Sequence, residues 1–268
     1  MDWGFANRMS KLFGPDGNCF YLALDHGYFQ GPTHGLERPG QTLAPLEPFV
    51  DAIFVPRGSL RAAIPPALKP GLILRVSGGN SMAGEDLANE EVSVSVDEIL
   101  RLNATAVGYS AYVGSRFEHQ TLMGLSRLVD LCAPYGIPVM AVTAVGRELG
   151  QKQESRFLAL ACRVCAEAGA SVVKTYYTED FERVVEGCPV PVVIAGGPKT
   201  DSQLEVLKFV HDGMRRGARG VNLGRNIWQD ADPPGMARAL RAVIHEQAAP
   251  EAAYELYRSG PEARREPR

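Results

Sequence analysis

Residues 171–195 read SVVKTYYTEDFERVVEGCPVPVVIA: two apolar, β-branched runs, SVVKTY (171–176) and VPVVIA (190–195), joined by a polar connection. A strand that is apolar nearly throughout is buried on both faces, which happens in parallel sheets whose crossovers are helices. The same kind of run recurs at CFYLAL (19–24), DAIFV (51–55), LILRV (72–76), ATAVGYSAYV (104–113), PVMAVT (138–143) and GVNLG (220–224), making eight in all. Between them, SVDEILRLN, HQTLMGLSRLVDLCAPYG, SRFLALACRVCAEAG and SQLEVLKFVHDGMRRG carry apolar residues at three- and four-residue spacing. Several of these end in glycine, as helix C-termini do. Eight such units predict an α/β chain, a single (β/α)8 TIM barrel spanning residues 1–247, with MDWGFANRMSKLFGPDG as a helical lead-in. Residues 248–268 are expected to form a partly ordered C-terminal extension suited to subunit contacts. An open doubly wound sheet is the competing architecture, but the first turn, LALDHGYFQG, lacks the GxGxxG signature of its nucleotide loop.

Composition removes several function classes. With 268 residues, 45% hydrophobic and 22% charged, the chain can bury a substantial core. A net charge of −3 gives no basic face for nucleic acid; the only basic cluster, the tail EARREPR, reads as a solvated end. No apolar run is long enough to span a bilayer. Five scattered cysteines and a start unlike a signal peptide place the chain in a reducing cytoplasm. Cys162 and Cys165 form a CxxC pair inside a helical pattern with no second pair, so core packing is the expectation and no metal site is evident.

Barrel enzymes do their chemistry at the C-terminal ends of the strands. Of six lysines (Lys11, Lys69, Lys152, Lys174, Lys199 and Lys208), only Lys174 lies within a predicted strand, sharing one face with Tyr176. Burial disfavours the ammonium and lowers its pKa, the property a Schiff-base nucleophile needs. The bland alternative is a lysine that merely holds a carboxylate. The first strand ends in Asp25 and His26, able to orient the amine and move protons. The fourth leads to Glu118 and His119, which read equally as a proton-transfer pair or as the start of a helix. Strands seven and eight end in Gly196 and Gly197 and in Gly224 and Arg225, a glycine-lined cradle with a guanidinium where this fold binds phosphate. The loop RVSGGNS (75–81) adds polar backbone at the same rim or is a simple turn.

The segments LALDHG, AYVGSRFEHQ, VKTYY, AGGPK and GRNIWQ resemble the DeoC/FbaB superfamily of class I aldolases. DWG, LDHGYFQGPTHGLER, LRVSGGNS, AVTAVGREL and CPVPVVIAGG, spread from about Asp2 to His245, narrow the resemblance to the thiolase branch acting on 3-hydroxy-5-phosphonooxypentane-2,4-dione. The resemblance implies a Schiff base on Lys174, coenzyme A as co-substrate with no bound cofactor or metal, a phosphorylated ketone as substrate, and a homo-oligomer of five or ten subunits. It departs from the ordinary aldolases of the superfamily in one place: their fifth strand carries an acid/base tyrosine, and VMAVTAVGREL has none. A retro-aldol cleavage needs a base for a substrate hydroxyl, whereas thiolysis attacks a ketone, so the departure favours the thiolase. An aldolase or synthase using dihydroxyacetone phosphate and a non-catalytic phosphosugar-binding protein are the competing readings.

Overall fold

The computed structural model describes residues 2–143, 154–197 and 199–260. Eight parallel strands close into a barrel: β1 (Cys19–Ala23), β2 (Ala52–Pro56), β3 (Gly71–Arg75), β4 (Ala106–Ala111), β5 (Val139–Thr143), β6 (Val172–Tyr176), β7 (Val192–Ala195) and β8 (Gly220–Leu223). Each of the eight apolar runs supplies one strand, in chain order around the barrel, and β8 closes it against β1 with Asn222 opposite Tyr21. The VGREL segment and Lys152 lie outside the described residues, as does the tail EARREPR.

Alternation along the strands divides the core in two. One set, including Cys19, Tyr21, Phe54, Ile73, Met140, Val172 and Val193, fills the barrel interior, and Leu12 closes this packed column with Met9 and Phe13. The opposite set, including Leu22, Ile53, Leu74, Val107, Val173 and Ile194, packs against the surrounding helices. The lead-in forms the helix Trp3–Met9, whose start is capped by Asp2 accepting from the Gly4 amide. Cys162 and Cys165, in the helix Ser155–Glu167, are both buried. RVSGGNS is more than a turn: Ser77–Gly78 pairs antiparallel with Glu91–Val92, folding the intervening segment back over the barrel mouth. At the C-terminal end, the helix Pro250–Arg258 packs on the helices Gln203–Arg215 and Pro233–His245, burying Ala253.

At the opposite end from the strand tips, His245 joins three elements. Its Nδ1 lies 3.0 Å from Asp16 Oδ2 and its Nε2 lies 3.0 Å from Asp51 Oδ2. Burial opposes protonation of this ring, but the hydrogen bond to Asp51 and the charges of Asp51 and Asp16 outweigh it and raise the pKa above 6.5. A raised folded-state pKa gives stability that is fully present below the unfolded value and lost as pH climbs through the folded one. His245→Gln is therefore expected to cost about 2 kcal/mol near pH 6 and less at pH 9, read from urea unfolding of both proteins.

Candidate active site

A cavity of about 330 Å³ opens at the C-terminal ends of the strands. Alternation sends Lys174 and Tyr176 of β6 inward, and both line it, with Asp25, His26, Gly196, Gly197, Gly224 and Arg225. Lys174 sits beside Val142 of β5 and Val193 of β7, with its Nζ 5.4 Å from the centre of the Phe54 ring. Burial in these apolar surroundings pulls its pKa down to about 8; Asp25 works against that and Arg75 with it. A sizeable neutral fraction near pH 8 makes the amine a competent nucleophile.

Around the lysine stands a polar cluster centred on Arg75, the last residue of β3, which is 5% exposed. Its Nη1 donates to Asp25 Oδ2 at 3.2 Å, its Nε to the Ser77 carbonyl at 3.2 Å, and its Nη2 to Glu90 Oε2 at 2.9 Å, to Ser110 Oγ and to the Tyr28 hydroxyl. Glu90, itself fully buried, also accepts from the hydroxyls of Tyr28 at 2.6 Å, Tyr112 at 2.9 Å and Ser77 at 2.7 Å. Burial alone would weaken the charge on Arg75, but the carboxylates of Glu90 and Asp25 more than restore it. Burial drives the Tyr28 and Tyr112 pKa values far up, so both hydroxyls stay protonated.

His26 lies under the cradle, edge-on to Trp228 with ring centres 5.4 Å apart and Nδ1 3.8 Å from Asp25 Oδ1. Burial lowers its pKa to about 4, against the pull of Asp25, and Lys174, Arg225 and Arg75 lower it further. It is a neutral imidazole at pH 7. Tyr176 is raised by burial, partly offset by Arg225, and is likewise neutral.

The cradle is built from close backbone approaches. Arg225 Nη2 donates to the Gly197 carbonyl at 3.0 Å and Asn226 Nδ2 to the Gly196 carbonyl at 3.0 Å, tying the β7 and β8 loops together. Gly197 has φ +62°, and a Cβ there would meet nothing within 4 Å. Gly224 is required for a different reason: a Cβ would lie 2.6 Å from the His26 ring. The Trp228 indole donates to the Ala23 carbonyl at 3.0 Å, fastening the end of β8 to β1.

A family model described as DeoC/LacD family aldolase matches residues 19–230. The chain belongs to the DeoC/LacD aldolase family. It is 47% identical over 261 residues to the 3-hydroxy-5-phosphonooxypentane-2,4-dione thiolase of Escherichia coli O139:H28 (strain E24377A / ETEC), covering 97% of this chain and 88% of the relative. The enzyme of that name from Photorhabdus laumondii subsp. laumondii is 46% identical over the same spans. Among solved structures, an archaeal fructose 1,6-bisphosphate aldolase superposes with a TM-score of 0.80 at 28% identity, covering 90% of this chain and 99% of that one. A fructose-bisphosphate aldolase from Slackia heliotrinireducens, at 19% identity and a TM-score of 0.82, shares the fold. This DeoC/LacD family member is thus an enzyme of the Schiff-base aldolase superfamily.

Of the sequence-predicted residues, Glu118 and His119 are the ones the structure does not bring to the cavity. His119 is exposed in the first turn of the helix Glu118–Cys132, while Glu118 accepts from the Gly114 amide. That pair opens a helix, the structural alternative of the two. Arg75, Glu90, Tyr28, Ser110, Tyr112 and Asn222 were missed by sequence reasoning. Their one legible signal was a charged residue ending an otherwise apolar strand in LILRV. Among the described residues, no three His, Cys, Asp or Glu side chains converge as a metal site.

The environment of Lys174 sets its pH dependence. Borohydride trapping of a ketone phosphate on Lys174 is expected to rise with pH around a midpoint near 8, rather than the ordinary value of about 10.4. Asp25→Asn is expected to move the midpoint lower, because the carboxylate favours the ammonium. A midpoint that rose instead would contradict the assigned role of Asp25.

Proposed function

We propose that this enzyme cleaves 3-hydroxy-5-phosphonooxypentane-2,4-dione by forming a Schiff base on Lys174, transferring the acetyl group to coenzyme A and releasing dihydroxyacetone phosphate. The observation that carries this is a desolvated amine at one end of a cavity whose other end is the glycine and arginine cradle. The name of the 47% identical relatives, 3-hydroxy-5-phosphonooxypentane-2,4-dione thiolase, supports the same substrate.

The residues divide the work as follows. The cradle of Gly196, Gly197, Gly224 and Arg225 holds the phosphate, which fixes the adjacent C4 ketone against Lys174. The amine adds to C4. Asp25, the only carboxylate lining the cavity among the described residues, carries the proton from nitrogen to the carbinolamine oxygen, which leaves as water. The resulting iminium is the electron sink. Coenzyme A thiolate adds to the C2 carbonyl, the C2–C3 bond breaks, and its electron pair flows through C3 into the iminium to give an enamine. Acetyl-CoA departs; protonation of C3 and hydrolysis free dihydroxyacetone phosphate and Lys174. Tyr176, on the same face of β6, flanks the bound ketone, and His26 supports Asp25 and packs beneath the phosphate loop.

Among the described residues, the groups at the end of β5 and beside Glu90 favour thiolysis over aldol cleavage. The rim positions of β5 are Val142 and Thr143, and the Thr143 hydroxyl donates to Thr175 at 2.8 Å. Tyr28 and Tyr112 point their protons into Glu90. None of these is poised to take a proton from a substrate hydroxyl. The likeness to fructose-bisphosphate aldolases keeps aldol chemistry as the second reading, and product analysis with and without coenzyme A separates the two. The expected result is acetyl-CoA and dihydroxyacetone phosphate in equal amounts, formed only with coenzyme A, and at least about a thousandfold loss of turnover in Lys174→Ala. Full turnover in that variant would sink the proposal, and cleavage without coenzyme A would move the assignment to an aldolase.

A further inference from the structure

Asn222 has no task in the scheme above, yet it is 1% exposed and lines the cavity. Neither its Oδ1 nor its Nδ2 has a hydrogen-bond partner. No other side chain lining the cavity has both a buried donor and a buried acceptor unpartnered among the described residues. Arg75, Tyr28, Tyr112, Ser110 and Thr143 are all engaged with protein groups. A carboxamide kept out of water without partners is costly, and an apolar side chain of similar size would avoid that cost.

Its position on β8 narrows what it can meet. Asn222 is opposite Ala195 of β7, and Ala195 is opposite Tyr176 of β6. The small Ala195 therefore separates it from the strand that carries Lys174, and Asn222, Ala195 and Lys174 line the same cavity. Gly224, the residue that follows the end of β8, belongs to the cradle, so Asn222 lies about 7 Å back along the chain from it, on the barrel side of the phosphate loop. A ketone phosphate held at the cradle and at Lys174 brings its next carbon to this depth. A phosphate or ketone oxygen only accepts hydrogen bonds and would leave Oδ1 unpartnered; a hydroxyl both donates and accepts.

We propose that Asn222 is a specificity-determining residue that hydrogen-bonds the hydroxyl on the carbon beside the iminium carbon, on the side away from the phosphate. It selects α-hydroxyketone phosphates over their deoxy counterparts. The inference rests on the ketone-phosphate reading of the cavity but not on thiolysis, since dihydroxyacetone phosphate retains the hydroxyl in question.

The test is borohydride trapping on Lys174 with dihydroxyacetone phosphate and with hydroxyacetone phosphate, which has the same ketone and phosphate but hydrogen in place of that hydroxyl. Intact mass and peptide mapping give the half-saturating concentration of each compound. The wild-type enzyme is expected to favour dihydroxyacetone phosphate by about tenfold or more, and Asn222→Ala to lose that preference while its trapping of hydroxyacetone phosphate stays within about twofold. Asn222→Ser, which returns one donor and acceptor, is expected to recover part of it. The deoxy compound reports in each variant that the site is intact. Equal half-saturation in the wild type, or a preference kept in Asn222→Ala, would overturn the role of Asn222 alone. No adduct with either compound in the wild type would overturn the ketone-phosphate reading and this inference with it.

Discussion

The catalytic end of the barrel depends on one buried guanidinium. Arg75 ends β3, but its hydrogen bonds reach Asp25 after β1, Ser110 of β4, and Ser77 and Glu90 at the two ends of the loop folded over the mouth. An arginine so enclosed is stable only when nearly every N–H finds an acceptor and its charge is answered, and Glu90 and Asp25 answer it. Satisfying it fixes the Asp25 carboxylate beside Lys174 and stacks Tyr28, whose ring centre is 4.0 Å away, along the cavity wall. Its positive charge also helps hold the amine pKa down. Structure and reactivity here have a common electrostatic origin.

The chemistry follows from an unequal division of the barrel interior. Below Lys174 the column is apolar, with Tyr21, Phe54, Ile73, Met140, Val172 and Val193 packed together. Above it, the inward positions change to Arg75, Ser110, Tyr176 and Asn222. Lys174 sits at the boundary, where desolvation is strong but a ligand can still reach it. One inward position deeper it would displace Val172 from the packed column; one further out, at Tyr176, it would keep more of its hydration and a more ordinary pKa.

Much of this was legible in the sequence, and the gaps have physical reasons. The eight runs were readable because strands buried on both faces must be apolar throughout, and Lys174 stood out because a cation breaks that rule. Gly196, Gly197, Gly224 and Arg225 were readable because barrel topology assigns a place to the ends of β7 and β8. Arg75 was not, since an arginine ending a strand reads as a side chain reaching for water. Its partners at 25, 28, 90 and 110 are brought together only by the closed fold and the small hairpin. Glu90 and Glu91 are adjacent and chemically alike, yet the first is buried against Arg75 and the second is exposed. His119 misled because its neighbourhood matched a motif while the helix start turned it outward. Asn222 was hidden by residue type, since asparagine is usually a turn or cap residue and reveals a buried role only through its missing partners.

The seam between the last strand and the first carries a consequence for how the enzyme comes into being. β8 and the Trp228 indole meet β1 late in the chain, after Lys174 has already been synthesised. Until that seam forms, Lys174 is an ordinary hydrated ammonium with a pKa of about 10.4, only weakly reactive toward carbonyl compounds at neutral pH. Closure strips away its water and brings Asp25, in the first strand's loop, alongside it. The barrel thus acts as a safety catch: in a growing or partly unfolded chain this lysine is almost wholly protonated, and its enhanced reactivity arises together with the cavity that restricts what it can touch.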